Sequence, residues 1–262
     1  MADPKVLVLR APGINCERET LHAFQMAGGK PEYVHVKRLI QHPDLLDRFR
    51  IFIVPGGFAY GDDIAAGRVL ANELRRRIGD HLAKFVDRGG LAMGICNGFQ
   101  TLVKLGLLPR LGGLGLTQEV TVTHNLSNHY ECRWVTLSSR PNRCVFLEEG
   151  LILHAPAAHA EGYVLAKNEQ QLQLLHEEGY TAFSYVDDQE RPTTDYPANP
   201  NGSPNGCAGL TDVTGRVLGL MPHPDRSYMA HHMPGWTRSG LGETGDGLAI
   251  FQAIVEVARA EG

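Results

Sequence analysis

Leu91-Ala92-Met93-Gly94-Ile95-Cys96-Asn97-Gly98-Phe99-Gln100 is a short apolar run that ends in Gly-Ile-Cys-Asn-Gly and continues into a helix-compatible stretch. It reads as a strand, a sharp turn carrying a cysteine, and a helix. A nucleophile elbow of this kind needs a small residue two positions before and two positions after the nucleophile, because the strained backbone crowds out most side chains there. Gly94 and Gly98 occupy those places. At the first turn of a helix, Cys96 would face unpaired N–H groups and the positive end of the macrodipole, which favour thiolate over thiol. The plain alternative is an inert buried cysteine beside a glycine turn. Spacing alone leaves both readings open.

Upstream of the elbow, apolar and helical segments alternate. Lys5 to Arg10 reads as a buried strand, followed by the Pro12-Gly13 turn and a helix from about Glu17 to Ala27 that Gly28-Gly29 stops. Tyr33 to Val36 suggests a second strand, Pro43 to Phe49 a short helix, and Ile51 to Val54 a third strand running into Pro55-Gly56-Gly57. After the loop from Phe58 to Gly67, a long helical region reaches about Arg88, and a further helix follows the elbow from Asn97 to about Leu105. This order predicts an α/β fold, an open and mostly parallel sheet with helices on both faces.

The second half changes character. Val120 to His124, Glu131 to Leu137, Ile152 to His154 and Tyr163 to Leu165 are β-like, which predicts a smaller antiparallel excursion. Arg191 to Gly206 is dense in Pro, Asn and Gly and reads as an ordered irregular loop held by Asx-type hydrogen bonds. Strand-like pieces resume at Ala208 to Leu210 and Val217 to Met221. A last helix from about Asp246 to Ala260 carries Ile250, Phe251, Ile254, Val257 and Ala258 on the face that should pack on the sheet. Residues 1–262 are expected to form one domain.

Composition narrows the function classes. A net charge of -4 gives no reason to expect a polyanion, so a nucleic-acid partner is not expected. Five cysteines lie far apart without a C-x-x-C pair, which suggests neither a disulfide framework nor a zinc site. Met1 to Lys5 leads directly into Val6-Leu7-Val8-Leu9, too short for a signal h-region, and no stretch approaches the roughly 20 apolar residues of a membrane helix. The expectation is a soluble cytoplasmic protein.

A thiol nucleophile needs a base, and the base needs a carboxylate to fix its tautomer. Among twelve histidines, His223 stands apart, because Leu218 to Met221 looks like a strand ending at Pro222-His223-Pro224-Asp225. In an open parallel sheet, sites lie at the carboxyl ends of strands, which is where both Cys96 and His223 would sit. Asp225, two residues on, is the candidate acid. An oxyanion formed on an amide carbonyl needs fixed donors; the N–H of Asn97 is one candidate, and Gly56 or Gly57 could supply another. His231-His232, His124, His129, His154 and His159 lack the spacing of known metal sites, and no metal is expected. Asp62-Asp63 reads as an exposed loop pair or helix cap, and Arg75-Arg76-Arg77 as a solvated helix face.

Together these residues resemble the class I triad glutamine amidotransferases, and among them the branch that serves purine biosynthesis. The likeness spans nearly the whole chain. It rests on Pro12-Gly13-Ile14-Asn15-Cys16, Val54 to Asp62, Gly94 to Gln100, Glu131-Cys132-Arg133-Trp134-Val135, Asn199-Pro200-Asn201-Gly202-Ser203 and Met221-Pro222-His223-Pro224. The elbow and the histidine turn would fit several amidotransferases; the Gly-Gly-Phe-Ala-Tyr-Gly-Asp, Glu-Cys-Arg-Trp and Asn-Pro-Asn-Gly-Ser segments single out the purine branch.

The resemblance implies a flavodoxin-like sheet and a glutaminase. Cys96 would attack the side-chain amide of glutamine, His223 would shuttle the proton, and a glutamyl thioester would form as ammonia leaves. Gln100, His159 and Glu161 are implied contacts for the bound glutamine. The ammonia would pass to a larger synthetase subunit, with a small accessory subunit in the assembly, and be used to convert formylglycinamide ribonucleotide to the amidine. ATP and Mg²⁺ are expected on that partner, and no cofactor on this chain. Two positions depart from the family pattern. Asp225 stands where glutamate is usual, one methylene shorter, and His159-Ala160-Glu161-Gly162 stands where the family has His-Gly-Glu-Gly. The alternatives are a non-catalytic glutamine-binding subunit and an amidotransferase subunit serving another pathway.

Overall fold

Four short strands, Lys5–Arg10 (β1), Lys30–His35 (β2), Ile51–Val54 (β3) and Leu91–Ile95 (β4), are joined by helices and pair in parallel. The computed structural model describes residues 2–113, 115–240 and 242–262; Met1, the head of the amino-terminal reading, and Leu114 and Leu241 lie outside it. Every residue of β3 and β4 and the four inner residues of β1 are buried. That is why these strands read as unbroken apolar runs: helices cover both faces of a parallel sheet, so no face is left for polar side chains. The helices are Glu17–Met26 (α1), Val36–Gln41 (α2), Arg68–Asp87 (α3), Asn97–Leu105 (α4), Glu169–Glu177 (α5), Trp236–Ser239 (α6) and Leu248–Ala260 (α7).

The remaining strands are Thr121–His124 (β5), Glu131–Ser139 (β6), Ile152–His159 (β7), Glu161–Leu165 (β8), Thr181–Tyr185 (β9), Cys207–Thr211 (β10) and Val217–Leu220 (β11). The main sheet runs β2-β1-β3-β4-β11-β10-β9-β6-β7, and β5 pairs with β8 in a two-stranded sheet. β11 lies parallel to β4, whereas β10, β9, β6 and β7 continue the sheet antiparallel. The first five positions give the open parallel order expected from the sequence. The antiparallel excursion, though, extends the same sheet and adds the small one beside it. Hydrophobic residues from both halves, from Val6 to Ala258, join in one core cluster.

Several local readings shift. β2 starts at Lys30, and Val36 opens α2, where the His35 ring nitrogen accepts the Lys37 N–H at 3.2 Å. The turn Pro43–Arg48 is a 3-10 segment. α5 and β9 add to the elements expected from the sequence: Thr181-Ala182-Phe183-Ser184-Tyr185 is buried throughout, but its Ser and Thr break the apolar pattern. On α7 the buried face is Leu248, Ile250, Phe251, Ile254, Val255 and Ala258, with Val257 only partly buried. Phe251 meets Phe24 of α1 edge-on, with ring centroids 5.0 Å apart. Among the described residues, no helix is long and apolar enough to cross a membrane.

The register brings three strand ends to one level. Val54 pairs with Gly94 and Leu220 with Ile95, so the segments after β3, β4 and β11 leave the sheet side by side. Cys96 N–H donates to Leu220 O at 2.8 Å, extending that ladder by one bond.

Candidate active site

Cys96 heads α4 with φ 53° and ψ -107°, a backbone region that a residue with a Cβ rarely adopts. The flanking glycines explain how the chain tolerates it. A Cβ on Gly98 would lie 1.9 Å from Val54 O, and one on Gly94 would lie 2.6 Å from the Gly98 carbonyl. No other residue fits either place, because the obstacle is backbone rather than a movable side chain. The elbow read from the sequence is present, and Cys96 is 6% exposed at its tip.

His223 reaches the same place from the end of β11. A Cβ built on Gly56, just past β3, would lie 2.7 Å from His223 Cε1 and 3.5 Å from Cys96 Cβ, so imidazole and cysteine flank one point. Gly56 is the gap that lets them meet. The His223 ring nitrogen Nδ1 is 3.0 Å from Asp225 Oδ1, and both residues are buried. The shorter acid therefore makes direct contact. Its second oxygen, Oδ2, accepts the Thr20 hydroxyl at 2.8 Å. Burial opposes a charge on His223, but Cys96 and Asp225 outweigh it and raise the imidazole well above its usual pKa. A base so placed keeps the proton it takes until a leaving group needs it.

Cys16, which the sequence reading quoted only within a motif, lies against this group. Its Sγ is 3.3 Å from the Gly56 Cβ position and accepts from Arg226 Nη2 at 2.9 Å. Burial pushes the Cys16 thiol up, against the contrary pull of His223 and Arg226. Cys16, His223 and Asp225 hold their ligating atoms within 4.8 Å of one another, the group among the described residues that could share a cation. In this structure His223 and Asp225 bond to each other, Asp225 also accepts from Thr20, and the Cys16 sulfur accepts from Arg226. His154 pairs instead with Asp246 at 2.6 Å, and the His231 and His232 rings meet edge-on with centroids 4.6 Å apart.

The three expected glutamine contacts lie beside the elbow but are engaged within the chain. Gln100 donates from Nε2 to Glu161 O at 2.5 Å and accepts at Oε1 from Asn97 Nδ2 at 3.0 Å. Glu161 accepts the Ala66 N–H at 3.1 Å and pairs with buried Lys104 at 3.2 Å, while Lys104 donates to Ala66 O at 2.6 Å. Asp62, read with Asp63 as an exposed loop pair or helix cap, accepts Asn97 Nδ2 at 2.8 Å and the N–H of Gly67, which heads α3, at 3.3 Å. Burial raises the Asp62 pKa despite that amide bond. Asp62, Lys104 and Glu161 thus fasten the loop after β3 onto the elbow. The sequence signal for this was slight: Lys104 sits on the buried side of an apolar helix, where a lone cation needs a partner.

His159 ends β7, two residues before Glu161. Its Nδ1 lies 3.1 Å from Asn125 Oδ1, and its Nε2 is buried without a partner. Burial first, then the charge of His223, lowers its pKa to about 4. Unfolded, the same imidazole protonates near pH 6.5. Between those values the unfolded chain binds the extra proton, so stability falls as pH drops through this window, by up to about 3 kcal/mol. Urea melts at pH 7 and pH 5 measure the loss, which His159→Gln should reduce. The raised His223 pKa acts with the opposite sign and in a separate window: its contribution is complete below about 6.5 and fades at higher pH.

A cleft of about 770 Å³ is lined by residues such as Trp134, His154, Asp187, Tyr196 and Asp246, without Cys96 or His223. Side-chain chemistry marks the site. Residues 3–257 match the model of the CobB/CobQ-like glutamine amidotransferase domain. Phosphoribosylformylglycinamidine synthase subunit PurQ of Dehalococcoides mccartyi is 45% identical over 260 residues, which covers 99% of each chain. The protein of the same name from Methanococcus maripaludis is 42% identical over 88% of this chain and 85% of its own. Among solved structures, a chain of PurLQS from Thermotoga maritima superposes with a TM-score of 0.71 at 32% identity, covering 97% of this chain and 98% of that one.

Proposed function

The chain belongs to the CobB/CobQ-like glutamine amidotransferase domain family, and on that footing we propose that it is the glutamine-hydrolysing subunit of a phosphoribosylformylglycinamidine synthase. Residues 1–262 act as one amidotransferase domain, a reading supported by the single core that both halves share. The observation that carries the chemistry is the meeting of Cys96, His223 and Gly56 at the ends of three adjacent parallel strands, with Asp225 behind the imidazole.

Cys96 Sγ attacks the side-chain carbonyl carbon of glutamine while His223 takes the thiol proton. The oxyanion is met by the Asn97 N–H at the start of α4 and by a backbone N–H at Gly56 or Gly57. Collapse of the tetrahedral species breaks the carbon–nitrogen bond, His223 returns its proton to the nitrogen, and ammonia leaves. A water, deprotonated by His223, then cleaves the thioester and releases glutamate. Asp225 holds the imidazole in the tautomer that faces the sulfur. Gln100 and Glu161 shape the wall of the glutamine pocket through their bonds to Asn97, Ala66 and Lys104. His159 offers its unpartnered Nε2 as an acceptor for an N–H of the substrate.

The ammonia passes to a larger synthetase subunit in an assembly that includes a small accessory subunit, and ATP and Mg²⁺ bind on the synthetase. This chain carries no cofactor of its own and makes no contact with nucleic acid or membrane. Its five free cysteines suit the reducing cytoplasm. Reconstitution with the synthetase tests the reading: glutamate should appear in one-to-one ratio with amidine. Amidine formation from ammonia without any release of glutamate would leave a non-catalytic glutamine-binding subunit. Glutamate release coupled only to a different acceptor would assign the chain to another pathway.

A further inference from the structure

Asp225 is fully buried, so its carboxylate is shut off from bulk solvent. Oδ1 faces His223 Nδ1 at 3.0 Å, and Oδ2 faces Thr20 Oγ1 at 2.8 Å, across 205 residues of sequence. Thr20 is itself fully buried, on α1. Its hydroxyl has one proton and two acceptors in reach, since Cys16 O lies 2.7 Å away. That carbonyl already accepts the Thr20 N–H at 3.1 Å, as the first turn of α1 requires. A carboxylate oxygen is the stronger acceptor, and among the described residues no other donor reaches this one, so the hydroxyl proton belongs to Asp225.

The contact is part of a wider clamp. Arg226 reaches Cys16 Sγ at 2.9 Å and Glu19 at 3.7 Å, and His22 Nδ1 lies 2.9 Å from the Tyr228 hydroxyl. One side of α1 thus grips the turn that follows His223 at four places. Of the four, Thr20 alone touches the acid that orients the imidazole.

We propose that Thr20 is a positioning residue for the glutaminase reaction: its hydroxyl fixes the rotamer and charge of Asp225, and through Asp225 the direction of His223. This rests on the glutaminase reading above and deepens it. Without the hydroxyl, Oδ2 is a buried acceptor lacking a donor, and the carboxylate relieves that cost by turning away or by taking up a proton. Either outcome loosens the imidazole.

The test is glutamate release by the chain assembled with its synthetase, comparing wild type, Thr20→Val and Thr20→Ser across pH. Thr20→Val keeps the shape and removes the donor. It should lower kcat about ten- to a hundredfold with KM nearly unchanged, and move the acidic limb of the profile toward neutral pH. Thr20→Ser should restore both, and synthesis from added ammonium should match wild type in all three. If Thr20→Val gives no folded protein, Thr20→Ala replaces it, with the limb again displaced relative to Thr20→Ser. A Thr20→Val enzyme with wild-type kcat and an unmoved limb overturns the proposal, as do identical limbs for Thr20→Ala and Thr20→Ser. Failure of the underlying reading looks different: the wild-type assembly itself would release no glutamate.

Discussion

Cys96→Ala is expected to reduce glutamine-dependent amidine formation by at least about a thousandfold while ammonium salts still support synthesis by the same complex. The magnitude follows from the role. A nucleophile cannot be replaced by the methyl group of alanine, and removing one member of a catalytic unit removes nearly all that the unit contributes. The sparing of ammonia follows from the proposed division of labour, in which the amidine is made on another subunit. Alanine also removes little volume at the elbow, where Gly94 and Gly98, not the thiol, accommodate the backbone. Rates with glutamine and with ammonium, measured on complexes of matched composition, give the ratio. Equal loss of both rates in an intact complex would contradict a glutaminase that feeds a separate synthetase.

Gly56→Ala is the second large effect, and its cause is steric. The added Cβ would lie 2.7 Å from His223 Cε1 and 3.3 Å from Cys16 Sγ. The ring cannot simply swing aside, because Nδ1 is held by Asp225 and the His223 backbone N–H donates to Pro156 O at 2.8 Å. Relief comes by pushing the imidazole off its line to the sulfur. A misplacement of about 1 Å at a reacting group costs on the order of a hundredfold in rate, so kcat for glutamate release should fall at least that far. Stability should drop by only about 1–3 kcal/mol, the ordinary range for overpacking. Steady-state rates and thermal melts on the same preparation separate the two. A kcat within about threefold of wild type would mean that Gly56 does not set the distance between base and nucleophile.

What the sequence disclosed and what it hid divide along physical lines. β1, β3 and α4 were legible to the residue, because a strand buried on both faces and a helix starting at a glycine elbow leave unambiguous local patterns. That Cys96, His223 and Asp225 lie together was legible for a related reason: the proposed chemistry demands particular residue types at strand ends, and few positions satisfy the demand. β9 was not, since Thr181 and Ser184 are polar residues buried by the neighbouring β6 and β10 rather than by any property of their own. Thr20 and Cys16 were equally hidden. One is a helix residue of ordinary type and the other an unremarked thiol, and only the packing of α1 on the turn after β11 shows what they touch. Asp62, read as part of an exposed loop pair or as a helix cap, gave no sign of its bond to Asn97, which lies 35 positions away across the crossover through α3. Partnerships across the sheet leave no periodic trace.

The claim on which the rest depends is that Cys96, and not Cys16 beside the same imidazole, forms the acyl bond with glutamine. Acid quenching of the assembled enzyme during turnover, followed by mass spectrometry of its peptides, decides between them. The expected result is a glutamyl adduct confined to the peptide containing Cys96 and absent from Cys96→Ala. An adduct on Cys16, or a Cys96→Ala enzyme that still releases glutamate at the wild-type rate, would contradict it.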